Sequence, residues 1–114
     1  MPRRPSTDQG ATLTPLMFWV LVAVTARDQH GYAILQEIEG RTGGAFRVGA
    51  GSLYRAVRSL LDAGLIVEVQ PEERTHRQRR YYGATPAGRR RAATEALIFR
   101  DMVAWAEDVG VLSR

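Results

Sequence analysis

The stretch GSLYRAVRSLLDAG, residues 51–64, followed at once by LIVEV, residues 65–69, decides how the rest of the chain is read. Leu53, Ala56, Val57, Leu60 and Leu61 recur at i, i+3, i+4, i+7 and i+8, the period of an amphipathic helix packed on a core. At 100° per residue the opposite face carries Arg55, Arg58, Ser59 and Asp62, with Ser52 and Tyr54 at its edges. That face is polar and basic on balance. Gly64 closes the helix, and Leu65 to Val69 alternates branched apolar residues around Glu68, as a strand does.

Working outward, Pro71 to Gln78 reads as a charged turn and Arg79 to Ala84, with Tyr81 and Tyr82, as the returning strand, so a hairpin follows the helix. Upstream, Thr14 is placed to cap a helix whose first residue is Pro15 and whose Leu16 to Val24 run is apolar throughout, so most of its circumference should be buried. It ends near Arg27 to Gln29. Gly31 opens a second helix over Tyr32 to Arg41, with Ile34, Leu35 and Ile38 inward, and Gly43 and Gly44 stop it. Downstream, Thr85 and Pro86 start a last helix that runs to about Val109 before Gly110. Ile98, Met102, Trp105 and Val109 on it follow a 4-3-4 spacing, the seam for another helix.

The order helix, helix, helix, hairpin, long helix predicts a mainly α chain with a small β-hairpin: a winged helix-turn-helix with a long C-terminal dimerisation helix. The divisions are a disordered basic tail over 1–12, a winged-helix unit over 13–84, a dimerisation helix over 85–109 and a C-terminal tail over 110–114.

Charge supports a polyanionic partner. All 16 basic residues are arginine, and seven of them, Arg74, Arg77, Arg79, Arg80, Arg89, Arg90 and Arg91, lie between 74 and 91 with no acid among them. On the recognition helix alone, a merely solvated surface explains the arginines as well as DNA does. A second basic element at the hairpin tip, with Thr75 and Gln78 as further donors, tips the balance towards double-stranded DNA.

Other chemistries find little support. The chain has no cysteine, which removes disulfides, thiolate catalysis and most zinc sites. His30 and His76 stand apart, no nucleophile is paired with a base, and Gly43, Gly44, Gly49 and Gly51 suit helix ends better than a phosphate cradle. No enzyme, cofactor or metal is expected. With no apolar run of the roughly 18 to 20 residues that span a bilayer and no small-residue cleavage site after Arg3 and Arg4, a cytoplasmic protein without membrane contact is expected.

Several blocks in order also carry a family resemblance. They are Leu13 to Leu16, His30 to Ile34, Gly51 to Leu60, Asp62 to Ile66, Arg79 to Tyr82, and Thr85 to Gly88. Over about residues 13–92 the chain resembles PadR-type transcriptional regulators, and with one helix after the hairpin it is similar to the short subfamily. The resemblance implies a repressor that binds an inverted-repeat operator as a homodimer. It implies that Ser52, Tyr54, Arg55 and Arg58 read DNA and that Arg80 grips the flanking backbone; Ser59 on the same helix face and Arg74, Arg77 and Arg79 around the hairpin tip join these DNA-binding candidates from their placement alone. Tyr32 is either a phosphate contact or a ring packed on its own helix.

The resemblance further implies a dimer built from Met17, Phe18 and Trp19 on the first helix and Ile98, Met102, Trp105 and Val109 on the last. A small planar aromatic effector at the dimer centre would meet Phe99, Met102 and Trp105, residues that serve equally as dimer core. A winged-helix module that binds protein rather than DNA is the alternative from another class.

Overall fold

The computed structural model describes residues 13–70 and 79–112. In these segments four helices surround one small sheet: α1 Pro15–Ala26, β1 Gln29–His30, α2 Gly31–Thr42, α3 Ala50–Asp62, β2 Ile66–Val69, β3 Tyr81–Ala84 and α4 Pro86–Asp108. The fold class is the one expected from the sequence, mainly helical with a small antiparallel sheet. It has one strand more. β1 lies beside β3, giving the order β1-β3-β2, with Gln29 opposite Tyr82 and His30 opposite Tyr81. A two-residue strand carries no period, and the sequence at 27–29 reads only as a helix end.

The core forms where the inner faces of α1, α2 and α3 meet. Val20, Leu21, Val24, Ile34, Ile38 and Leu60 have almost no exposed surface. Each such side chain contributes roughly 1.5–3 kcal/mol of transfer free energy. The predicted burial of most of the circumference of α1 is only partly realised. Val20, Leu21, Ala23 and Val24 are buried, but Leu16 to Trp19 are half-buried and Val22 is exposed, so α1 keeps an open apolar side.

Local chemistry sets the helix ends. Thr14 Oγ1 accepts the Met17 N–H at 3.1 Å, and Pro15 follows at the first helical position, where no N–H is missed. At the other end of α1 the buried Gln29 side chain donates at 2.7 Å to the Ala23 carbonyl, which also accepts the Arg27 N–H at 3.4 Å, so side chain and backbone close the helix end on one oxygen. Glu37 on α2 takes Arg27 at 3.1 Å and Arg41 at 2.9 Å, tying the exit of α1 to α2. The Arg41 hydrogen bond, with the charges of Arg27 and Arg41 beside it, outweighs partial desolvation and holds the Glu37 carboxyl below its ordinary 4.5.

The entry to α4 is the tightest junction. Gly64 turns the chain out of α3 at φ 76°, a left-handed conformation that suits a residue without Cβ. Thr85 Oγ1 then donates to the Gly64 carbonyl at 2.8 Å and accepts the Gly88 N–H at 2.9 Å, while the Thr85 N–H donates to the Leu65 carbonyl at 3.1 Å. Gly88 lies so close to that same carbonyl that a Cβ there would overlap the Leu65 oxygen. Gly83 is similarly confined, with the Asp28 carboxylate where a side chain would stand, and β3 nevertheless continues to Ala84 opposite Ile66.

Beyond this junction α4 touches the head through Glu95. Its buried carboxylate accepts the Leu13 N–H at 3.1 Å on Oε1 and Arg91 Nε at 3.0 Å on Oε2, so a charge that would be costly to bury alone is paired and hydrogen-bonded. No described helix is long and apolar enough to cross a membrane.

Two outcomes test this account. Gly88→Ala should destabilise the fold by about 1–3 kcal/mol or more, as overpacking does, seen as a lowered thermal midpoint. Because Glu37 has a depressed folded pKa, its ion pairs stabilise fully above pH about 4.5 and are lost as pH falls through the folded value. Thermal melts from pH 6 downward should therefore show a smaller acid-induced drop for Glu37→Gln than for the wild type.

Candidate nucleic-acid interface

α3 presents two faces that could hardly differ more. Leu53, Ala56, Val57 and Leu60 are buried against α1 and α2, while Tyr54, Arg55, Arg58, Ser59 and Asp62 are exposed. Ser52, half-buried at the start of the helix, accepts Arg55 Nη2 at 3.3 Å. Arg58 makes no hydrogen bond or ion pair with any other described residue, so its guanidinium is available. A guanidinium of this kind, carried on a helix that fits a groove about 12 Å wide, can donate two parallel hydrogen bonds to guanine.

The structure brings Tyr32 and Arg79 to the same place. Together with His30, Gly31, Leu35, Ala50, Leu53 and Tyr54 they line a cavity of about 380 Å³ between the N-terminal ends of α2 and α3. Tyr32 and Tyr54 are 57% and 66% exposed, so both phenols belong to the surface that a partner of α3 would meet. The Tyr32 ring is not packed away on α2. Arg80 is exposed beside β3 and unpaired among the described residues. Arg74 and Arg77 lie outside the described residues.

Tyr82, which follows Tyr81 in β3, does not belong to this surface. It is buried, and its phenol is raised above its usual 10.0 first by burial and then by Glu68, which faces it across the strands. It stays protonated and packs the sheet on the core.

The residues assigned to a dimer separate into two groups. Met17, Phe18 and Trp19 are half-buried in their own chain: Met17 and Trp19 pack on the core, and the Trp19 and Phe46 rings lie 6.4 Å apart. Phe18 meets Phe99 of α4 at a ring distance of 4.7 Å. Phe99, an effector candidate, is thus engaged within its own chain. Ile98, Met102, Trp105 and Val109 are exposed, Trp105 by 70%, although they form the apolar row of α4. Together with Pro15 and Val22, Phe18, Trp19 and Phe99 line an apolar groove beside them.

Two features of this surface lay outside the sequence reading: the role of His30, which caps α2 and meets Arg79, and the strand that places it. A histidine one residue before a helix is a weak cap signal, and the partner lies 49 residues away.

The sequence model of the Transcriptional regulator PadR-like family matches residues 20–94, well over half of the 114-residue chain. The chain belongs to the PadR-like family of transcriptional regulators. Such proteins are regulators rather than enzymes, and no curated protein sequence matches the chain. Among solved structures, a transcriptional regulator from Clostridium thermocellum aligns over 97% of this chain and 100% of its own at 21% identity and a TM-score of 0.72. A PadR family transcription regulator from Clostridium difficile aligns over 84% and 98% at 20% identity and a TM-score of 0.69. Bacillus subtilis PadR, solved with operator DNA, aligns over 71% of this chain and 46% of its own at 18% identity and a TM-score of 0.61. At these identities the likeness is one of fold, and it places this chain among PadR-like winged helices.

If the exposed face of α3 reads bases, Arg58→Ala costs about 1–3 kcal/mol on a preferred duplex and much less on random duplex, whereas Arg80→Ala weakens both alike. Fluorescence anisotropy titrations on the two duplexes measure the difference.

Proposed function

We propose that this regulator is a homodimeric repressor that binds an inverted-repeat operator in double-stranded DNA. The observation that carries this is the isolation of Tyr54, Arg55, Arg58 and Ser59 on an outer face of α3 that no other described element covers, next to Tyr32 and the wing. α3 enters the major groove and its arginines read base edges, while Arg80, Arg74 and Arg77 meet the flanking phosphates. The operator complex of Bacillus subtilis PadR supports the choice of DNA over a protein partner.

Dimerisation follows from the exposed apolar row of α4. Water would otherwise meet Ile98, Met102, Trp105 and Val109 in a contiguous stripe. Burying one such residue returns roughly 1.5–3 kcal/mol, so several per subunit offset association costs of at least about 4 kcal/mol. The apolar groove of Pro15, Phe18, Trp19, Val22 and Phe99 gives the partner's helix a second surface. Two recognition helices would then lie about 34 Å apart, one turn of B-DNA. A planar aromatic effector at the dimer centre would find Met102 and Trp105 accessible, but Phe99 already packed against Phe18.

The deciding experiment is the salt dependence of affinity for a duplex selected from a random pool by the purified protein. A repressor gives a log-log slope of several units, near 0.9 per phosphate contacted; a protein-binding module gives a slope near zero. The double variant Met102→Asp, Trp105→Asp should sediment as a monomer and lose most of its affinity for the selected duplex.

A further inference from the structure

Arg79 stands at the root of the wing, immediately before Arg80 and β3, and its surroundings set it apart from the other arginines of the DNA-facing surface. Its Nη1 lies 3.0 Å from Nε2 and 3.3 Å from Nδ1 of His30, and its Cζ is 5.6 Å from the centre of the Tyr32 ring. Both contacts belong to the entry of α2. A guanidinium over a phenol face is attracted by the ring's negative quadrupole, so the two contacts hold the charge from different sides.

His30 joins several elements of this surface. Through Nδ1 it accepts the Ala33 N–H at 3.1 Å and caps α2. Its backbone pairs with Tyr81 in the sheet, and its ring meets the Tyr81 ring edge-on, with centroids 5.2 Å apart at 87°. Since Ala33 N–H can only donate, Nδ1 carries the ring's lone pair and is the atom to which Arg79 Nη1 donates at 3.3 Å, while Nε2, which bears the ring proton, is a close neighbour at 3.0 Å and not an acceptor. One imidazole thus ties together the start of α2, β1, β3 and the wing root.

We propose that Arg79 is a positioning residue rather than a phosphate contact: clasped by His30 and Tyr32, it locks the wing root to the N-terminus of α2 so that both approach DNA as one unit. Arg80, next in the chain, has no such partners among the described residues and supplies the phosphate contact. The inference rests on the DNA-binding reading for its functional consequence, but the lock itself exists in the free protein.

Two measurements separate these levels. In the free protein, hydrogen exchange at the Ala33 amide and across Tyr81–Tyr82 should quicken several-fold in Arg79→Ala and remain unchanged in Arg80→Ala; unchanged exchange in Arg79→Ala overturns the lock. On the duplex selected from a random pool, Arg79→Ala should weaken binding about tenfold, in the range seen for coupled neighbours, with the salt slope unchanged. His30→Ala should cause a similar loss, and the double variant no more than either alone. His30→Asn, which keeps a capping acceptor, should restore most of the affinity.

Arg80→Ala, in contrast, should lower the salt slope by about 0.9. A slope that falls by about 0.9 in Arg79→Ala, with losses that add in the double variant, would show Arg79 to be an ordinary phosphate contact and overturn the proposal. Should the wild type bind no duplex at all, the DNA-binding reading fails, and the exchange measurement still decides the lock.

Discussion

The architecture depends on one peptide carbonyl, that of Leu65. It accepts the Thr85 N–H and it faces Gly88, which lies too close to tolerate a Cβ. Since Thr85 also donates its hydroxyl to the Gly64 carbonyl and caps α4, the end of α3, the start of β2, the end of β3 and the start of α4 converge within a few residues. Interiors pack too densely for such a point to flex smoothly, so the direction of α4 is set relative to α3 at the place where both meet. A helix that would present one surface to DNA and a helix that would present another to a partner are therefore held by a common joint.

From that joint α4 runs along α1, which it still meets at Phe99 through Phe18. Gly88 and Glu95 are its buried residues, and Glu95 secures the helix by accepting the Leu13 N–H together with Arg91. Past Glu95 the row of Ile98, Met102, Trp105 and Val109 extends into solvent. The contrast with α3 is instructive. Both helices have an apolar row, but the row of α3 is consumed by the core of its own chain, and its polar face is left over. In α4 it is the apolar row that is left over. Chemistry on the leftover face differs accordingly: charge and hydrogen bonding on one, burial on the other.

Periodicity was enough to find both faces. Arg55 and Arg58 follow from the phase of Leu53, Ala56, Val57 and Leu60, and the apolar row of α4 from its 4-3-4 spacing, because helical phase is a local property of the chain. Thr14, Pro15, Thr85 and Pro86 marked helix starts for the same reason: a cap acts within three residues. What periodicity missed were contacts between residues remote in sequence. β1 is two residues long and exists only because β3 lies beside it. His30 meets Arg79 across 49 residues, and Glu95 meets Leu13 across 82.

By itself, then, the sequence determined which helices form, where they begin to within a residue, and which face of each is polar, since these depend on neighbours within one or two turns. Tertiary structure decided what those faces meet. It left Val22 open although its run is apolar throughout, set Phe99 against Phe18, buried Glu95, and drew Arg79 from the row of wing arginines to the entry of α2. Whether a side chain is free to touch a partner depends on which distant segment reaches it first, and that is settled by how the packed elements close on one another.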